Sequence, residues 1–258
     1  MSKTFETIIV DPQDHLTWIT LNRPQVANAF NTQMAEELLE VFSDFVSGSR
    51  QARCIILTGS GDRAFCAGGD LKQRHGMSDE AWYAQHAVFE ELARALIDCP
   101  APLLGAINGA AFGGGAELTL SCDFAYAASH ARFALTETTL GIIPGMAGTQ
   151  YLPRAVGIRR AKEIILTGKP FTAEQALQWG LINEVCEPAA LIDAVRIAAQ
   201  RIADNGPIAV RSALKALNHA TFSQLKADYE VELQAYNQTV PTEDRREGIT
   251  AFNEKRKA

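Results

Sequence analysis

The sequence predicts an α/β protein built from stacked, parallel ββα-type turns, closed by a helical C-terminal region. Three observations carry this expectation. Strand, loop, helix and strand recur at intervals of roughly fifty residues, which suits stacked turns better than a sandwich. After about residue 150 the pattern becomes helical. The chain is also long and apolar enough for one sizeable core, with 258 residues of which 47% are hydrophobic. Scaling rules give about 11,000 Å² of folded surface against roughly 41,000 Å² for the open chain.

Residues 6–21 alternate apolar and polar around Asp11-Pro12-Gln13-Asp14 and read as a hairpin. A helix fits 32–47, with Met34, Leu38, Leu39, Phe42, Phe45 and Val46 on one face. Arg53 to Thr58 reads as a buried strand, followed by a Gly-rich loop through Asp70. The segment 78–98 is helical, with Ser78 as N-cap and acidic Asp79 and Glu80 in its first turn. Pro102 to Asn108 is again a buried strand, and Asp123 to Ala127 a shorter one. Thr172-Ala173-Glu174-Gln175 matches a capping box. Pro207, after Asn205-Gly206, opens a helix near 207–220. A second helix near 222–238 and a charged tail from Glu243 to Lys257 complete the chain.

Composition removes several functional classes. Lys and Arg number 24 against 30 Asp and Glu, a net charge of −6. That disfavours nucleic acid and anionic membranes, which select a basic footprint. The five cysteines (Cys54, Cys66, Cys99, Cys122, Cys186) are odd in number and form no C-x-x-C pair, so a reduced interior is expected rather than a disulfide framework or zinc site. Met1-Ser2-Lys3-Thr4-Phe5-Glu6 lacks an export signal, and no apolar run reaches about 18 residues. The expectation is a soluble, cytoplasmic chain.

Common catalytic schemes can be tested next. There is no G-x-S-x-G elbow, no Walker loop, and no G-x-G-x-x-G opening a helix after a strand. The five histidines (His15, His75, His86, His130, His219) lack metal-ligand spacing, and each reads as a surface or structural residue. Two glycine-rich loops and two glutamates remain. One loop is Ala64-Phe65-Cys66-Ala67-Gly68-Gly69-Asp70-Leu71-Lys72; the other is Ala111-Phe112-Gly113-Gly114-Gly115-Ala116-Glu117-Leu118. Each follows a buried strand, and small residues let backbone N–H groups face a ligand oxygen. Taken singly, either loop is more simply read as a tight turn without a ligand. Glu117 and Glu137 stand in otherwise apolar or hydroxylic company. Buried together at one pocket, they would hold protons more tightly and could divide acid and base work around one water.

Phe65 to Lys72 (FCAGGDLK), Asn108 to Leu118 (NGAAFGGGAEL) and Gly141 to Gln150 (GIIPGMAGTQ) together closely resemble the enoyl-CoA hydratase/isomerase (crotonase) family. The likeness runs in register over essentially the whole chain. It implies a crotonase-like spiral core over residues 1–200 and a helical oligomerisation region over 201–258, assembling as a homotrimer or a dimer of trimers. It implies an acyl-CoA thioester substrate, coenzyme A being part of that substrate, with no resident cofactor or metal. By position, Ala67 and Gly114 would supply the oxyanion-holding N–H groups. Glu117 would activate water and Glu137 exchange the proton at Cα. Gly145 would line the water site, and Met146, standing where many hydratases carry a very small residue, would reshape the acyl pocket. Val26, Ala27 and Ala29, then Asp70, Leu71 and Lys72, would contact coenzyme A. Tyr236 and Lys255 would reach the ligand of a neighbouring subunit.

The family resemblance leaves rivals. A Δ3,Δ2-enoyl-CoA isomerase typically needs one shuttling carboxylate, so retention of both glutamates favours hydration. Hydrolysis, decarboxylation and dehalogenation of CoA esters occur on the same kind of oxyanion hole. Relatives that hydrate branched glutaconyl-CoA esters and bind RNA supply a binding-protein alternative, faintly echoed by Asp70-Leu71-Lys72-Gln73-Arg74. The negative charge argues against it, and intact loops and glutamates argue against an inactive structural relative.

Overall fold

The structure is a computed structural model that describes residues 4–257. Met1, Ser2 and Lys3, part of the segment read for an export signal, lie outside the described residues. Strands β1 (Ile8–Gln13) and β2 (Leu16–Leu21) form the hairpin. Its turn lies at Asp14 and His15, past the expected position, because Pro12 sits inside β1 opposite Thr17. β1 is an edge strand, where a missing N–H costs no ladder bond. Helix α1 (Thr32–Ser47) follows, capped by the Asn31 side chain. β3 (Cys54–Gly59) is buried along its whole length.

β4 (Ala64–Cys66) and the short α2 (Leu71–Arg74) flank the first glycine-rich loop. α3 (Asp79–Ile97) begins with Ser78 accepting from the Ala81 N–H, as its sequence predicts. β5 (Leu103–Ile107), β6 (Ala110–Phe112) and α4 (Gly114–Leu120) carry the second loop. β7 (Phe124–Ala128) and β8 (Arg132–Ala134) precede a 3₁₀ turn, Glu137–Leu140. α5 (Gly148–Val156), α6 (Ile158–Thr167), β9 (Phe171–Thr172), α7 (Ala173–Trp179) and β10 (Glu184–Cys186) follow. The Thr172/Gln175 capping box is formed in both directions. α8 (Leu191–Asp204), α9 (Pro207–Phe222), α10 (Leu225–Thr239) and α11 (Glu243–Asn253) end the chain. The charged tail is thus a helix, not a solvated extension, because Gly248, Ile249 and Ala251 give it a buried face.

Two sheets result, ordered β1-β2-β3-β5-β7-β10 and β4-β6-β8-β9. From β2 to β10 the first sheet is parallel, and both its faces are covered. Ile55 and Leu57 join the core under α1 and α3, whereas Cys54 and Ile56 pack beneath α8 through Leu191, Val195 and Ala199. The smaller sheet lay inside stretches read as loop. Its strands β4, β6 and β8 have three residues each, too few to show periodicity.

The small sheet positions the site. β4, β6 and β8 run parallel, so their C-terminal ends lie on one edge. Ala67-Gly68-Gly69, Gly113-Gly114 and Thr136-Glu137 leave these ends side by side. Crevices at such edges are where open α/β sheets bind ligands.

Candidate active site

The three segments border a cavity of about 290 Å³. Ala67, Gly69, Leu71, Gly114, Glu117, Glu137, Gly145, Met146 and Tyr236 all line it, so residues as far apart in sequence as Ala67 and Tyr236 meet there. Gly68 lets the two loops touch. Its φ is +93°, and an added Cβ would lie 2.8 Å from the Phe112 carbonyl oxygen.

Ala67 is corrected by its hydrogen bonding. Its N–H donates to the Ala27 carbonyl at 3.0 Å and is therefore engaged within the protein. Phe30 donates to the Gly68 carbonyl, and the Asp70 N–H donates to Phe30 at 2.9 Å. In extended backbone successive N–H groups point to opposite sides. The Gly69 N–H therefore turns away from Phe30, and among the described residues it has no acceptor. Gly114 is the first residue of α4, where an N–H has no intrahelical acceptor. An added Cβ at Gly114 meets nothing within 4 Å, so open space lies before it. Gly69 and Gly114, rather than Ala67 and Gly114, are the available donors. The motif pointed to the right loop, but a two-residue choice within it depends on pairing with Phe30.

The two glutamates occupy different environments. Glu117 is 3% exposed, and its Oε1 accepts from the N–H groups of Met146 (2.8 Å) and Gly148 (3.0 Å). Burial pushes its carboxyl up to about 7, against these bonds and the charge of Arg74, which favour ionisation. Glu137 is 8% exposed, and its Oε2 has no partner. Burial first and the neighbouring Glu117 charge second push it well above the usual carboxylate range. Gly148 is sterically required here, because a Cβ would stand 2.6 Å from Glu117 Oε1.

A third carboxylate, Glu232 on α10, was not singled out from sequence. Its Oε1 accepts from the Ala147 N–H at 2.7 Å, and its Oε2 from the N–H and hydroxyl of Thr149. Glu117 and Glu232 thus take alternate N–H groups of residues 146–149, where α5 begins. Burial and then Glu117 push Glu232 up to about 8. The signal was present: Glu232 interrupts the apolar stripe Leu225, Tyr229, Leu233, Tyr236. Because its charge also raises Glu137, Glu232→Gln is expected to move the alkaline limb of the pH–rate profile to lower pH. Kinetics on the variant across pH 5–9 check this; an unmoved alkaline limb contradicts it.

The remaining expected contacts divide. Gly145 lines the cavity, and its carbonyl accepts from the Tyr229 hydroxyl at 2.9 Å. Met146 is buried against the core as well as the cavity. Asp70 caps α2 and pairs with Arg23 at 3.0 Å. Lys72 and Lys255 are exposed, and neither lines the cavity. Val26, Ala27 and Ala29 form a partly buried turn outside it, pinned by buried Asn28, which bonds to the carbonyls of Ser60 and Ala64. Tyr236 is placed differently from the expectation. It is 2% exposed, accepts from Trp82 Nε1 at 2.9 Å, and lines the cavity of its own chain. α10 folds back onto the site because its apolar stripe has a partner within the chain. His86, read as surface or structural, is also buried at this cavity, and Arg74 turns inward rather than joining a basic surface.

Among the described residues no helix is long and apolar enough to cross a membrane, and no cluster of His, Cys, Asp and Glu could hold a metal ion. The profile of the enoyl-CoA hydratase/isomerase family matches residues 11–258. A putative enoyl-CoA hydratase/isomerase of Bacillus subtilis, YngF, is 44% identical over 245 residues, covering 95% of this chain and 94% of the relative. A crotonyl-CoA hydratase of Syntrophomonas wolfei is 36% identical, covering 98% and 97%. The crystal structure of an enoyl-CoA hydratase from Bacillus anthracis superposes with a TM-score of 0.81 at 42% identity, covering 98% of each chain. The chain belongs to the enoyl-CoA hydratase/isomerase family.

Proposed function

We propose that this chain adds water syn across the α,β double bond of a 2-enoyl-CoA thioester, giving the 3-hydroxyacyl-CoA. One observation carries the reading: two buried carboxylates, Glu117 bonded to the N–H groups of Met146 and Gly148 and Glu137 with its Oε2 unpartnered, share a cavity with two free N–H donors. The N–H groups of Gly69 and Gly114 receive the thioester oxygen, and α4 adds its positive dipole end. Glu117, poised near neutrality, takes a proton from water as the water oxygen bonds to Cβ. The π electrons move toward the thioester, whose oxygen gains enolate charge against the two donors. The enolate collapses and Cα takes the proton of Glu137. Proton exchange then restores the pair, which titrates as a unit.

The chemistry calls on no resident cofactor; coenzyme A enters with the substrate. The spiral core over 1–200 supplies the loops, while 201–258 supplies Glu232 and Tyr236 and an outward helix. Among its described residues α9 has no buried one, and Ile208 and Leu217 on it are 74% and 67% exposed. That unpartnered face supports the trimeric assembly usual in the family, and light scattering measures it directly.

Loss of the enone–thioester absorbance on adding crotonyl-CoA tests the activity. Absorbance that holds steady with crotonyl-CoA but rises with a 3-enoyl-CoA would replace hydration by isomerisation. The rate should increase as pH rises through the region near 7, where Glu117 loses its proton, and fall at higher pH as Glu137 ionises. A flat profile contradicts this division of roles.

Met146 is proposed to limit the acyl cavity. Met146→Ala should shift preference toward longer enoyl chains by roughly tenfold. An unchanged ratio of kcat/KM for crotonyl- and octenoyl-CoA dismisses the idea.

A further inference from the structure

The hydration scheme leaves one buried charge at the cavity without a part. Arg74, on α2, is 6% exposed and lines the same cavity as Glu117 and Glu137. Its guanidinium is tethered by neutral groups. Nε donates to Gln85 Oε1 at 2.8 Å, and Gln85 is fixed in turn by Thr32 and Gln73. A second side-chain bond joins it to the Tyr236 hydroxyl, which burial keeps protonated. Trp82 and Phe89 cover it, with ring centres 4.2 and 5.2 Å away. The head is thus fixed, yet none of the ion pairs among the described residues includes it.

Its position follows from the turn that α2 makes. The Arg74 N–H donates to the Asp70 carbonyl at 3.1 Å, which brings the side chain back beside Gly69. A Cβ added to Gly69 would stand 3.8 Å from Arg74 Nη1, so the guanidinium lies against the residue that supplies one of the two free N–H donors. The charges around it do not cancel it. Asp70 is paired with Arg23, and exposed Lys72 points no charge into the cavity. On α3, Asp79 is paired with Arg245 of α11, which also lies over Trp82. Burial, and then Arg74 itself, push His86 down to about 3, so it is neutral; Glu90 stands 3.8 Å from its Nε2. On α10, burial keeps Tyr229 protonated, and Glu232 is turned to the N–H groups of Ala147 and Thr149. Glu117 and Glu137 remain. The Arg74 charge favours the ionised form of each, and neither pairs with it.

We propose that Arg74 is a positioning residue for hydration: its guanidinium, held against Gly69 by neutral partners, acts through that peptide on the thioester oxygen as it gains enolate charge. A cation fixed in advance beside developing negative charge needs no reorganisation when the reaction occurs. Its effect is greatest where that charge is greatest, so it raises kcat rather than tightening substrate binding. The proposal rests on the hydratase reading of the same cavity.

Arg74→Met and Arg74→Gln remove the charge, and Arg74→Lys keeps it. Either neutral variant should lower kcat for crotonyl-CoA roughly 10- to 100-fold, less than loss of a donor in direct contact, with KM within about threefold of wild type. Losing the cation should also move both limbs of the pH–rate profile to higher pH, since both glutamates then hold their protons longer. Arg74→Lys should return the limbs toward their wild-type positions and recover part of kcat. Limbs that stay in place in a folded neutral variant overturn the proposal, as does a rise in KM that accounts for the whole loss. Acetoacetyl-CoA, whose enolate resembles the developing charge, gives a reading independent of turnover. The wild-type chain should bind it as the enolate near neutral pH, seen in the ultraviolet absorbance, and the neutral variants should not. Absence of that band in the wild type overturns the proposal without any variant. An Arg74-dependent band without turnover of crotonyl-CoA removes the hydratase reading and leaves Arg74 assigned to the enolate. Turnover with a band unchanged in the neutral variants removes the role of Arg74 alone.

Discussion

Glu137→Gln should lower kcat/KM for crotonyl-CoA hydration by about 10²- to 10⁴-fold, the usual worth of a positioned general acid. The side chain keeps its shape but can no longer deliver an acidic proton to Cα. The fold should tolerate the change, since Oε2 of Glu137 has no hydrogen-bond partner to lose. Glu137 still holds its proton while Glu117 titrates, so residual activity should keep the acid limb near 7 and lose the alkaline limb. Glu117→Gln should cost activity on a similar scale but perturb structure more. Its Oε1 accepts from both Met146 and Gly148, and an amide N–H₂ turned there would oppose two donors. Stopped-flow or steady-state absorbance on both variants, with thermal melts alongside, checks the pair. Full hydratase activity in both would falsify the two-carboxylate mechanism.

Gly114→Pro should lower kcat by about 10²- to 10³-fold, or roughly 3–4 kcal/mol, through loss of one oxyanion donor. Proline is accepted at the first position of a helix because its missing N–H has no intrahelical acceptor anyway. Gly114→Ala is the matched control: its Cβ meets nothing within 4 Å and the N–H remains. A deficit in the alanine variant as large as in the proline variant would assign the loss to bulk rather than to the missing donor. The contrast reads one backbone atom, which no side-chain truncation can do.

Much of the larger sheet was legible in the sequence. The runs Arg53–Thr58 and Pro102–Asn108 are apolar on both faces, as strands buried between two helical layers must be. Ser78 and Thr172 mark helix starts by chemistry that needs only a few residues. The smaller sheet was not legible, because a three-residue strand such as Ala64–Cys66 carries no period. The hairpin turn was misplaced by trusting Pro12 as a turn residue, although an edge strand tolerates proline.

Within the site, the glycine-rich segments and Glu117 and Glu137 could be singled out because their residue types are unusual where they occur. By itself the sequence determined the parallel α/β class, the family, the two glycine loops and the pair of glutamates, all encoded in local pattern and motif. The tertiary structure alone decided which N–H in the first loop is free, since pairing with Ala27 and Phe30 engages Ala67 and Asp70 and leaves Gly69. It also decided that α10 returns to its own chain's site, Tyr236 lining the cavity and Glu232 bonding to Ala147 and Thr149 beside it, and that Arg74 and His86 face inward. These depend on which partners arrive from distant segments, and burial and hydrogen-bond satisfaction are properties of that assembled neighbourhood rather than of any window of sequence.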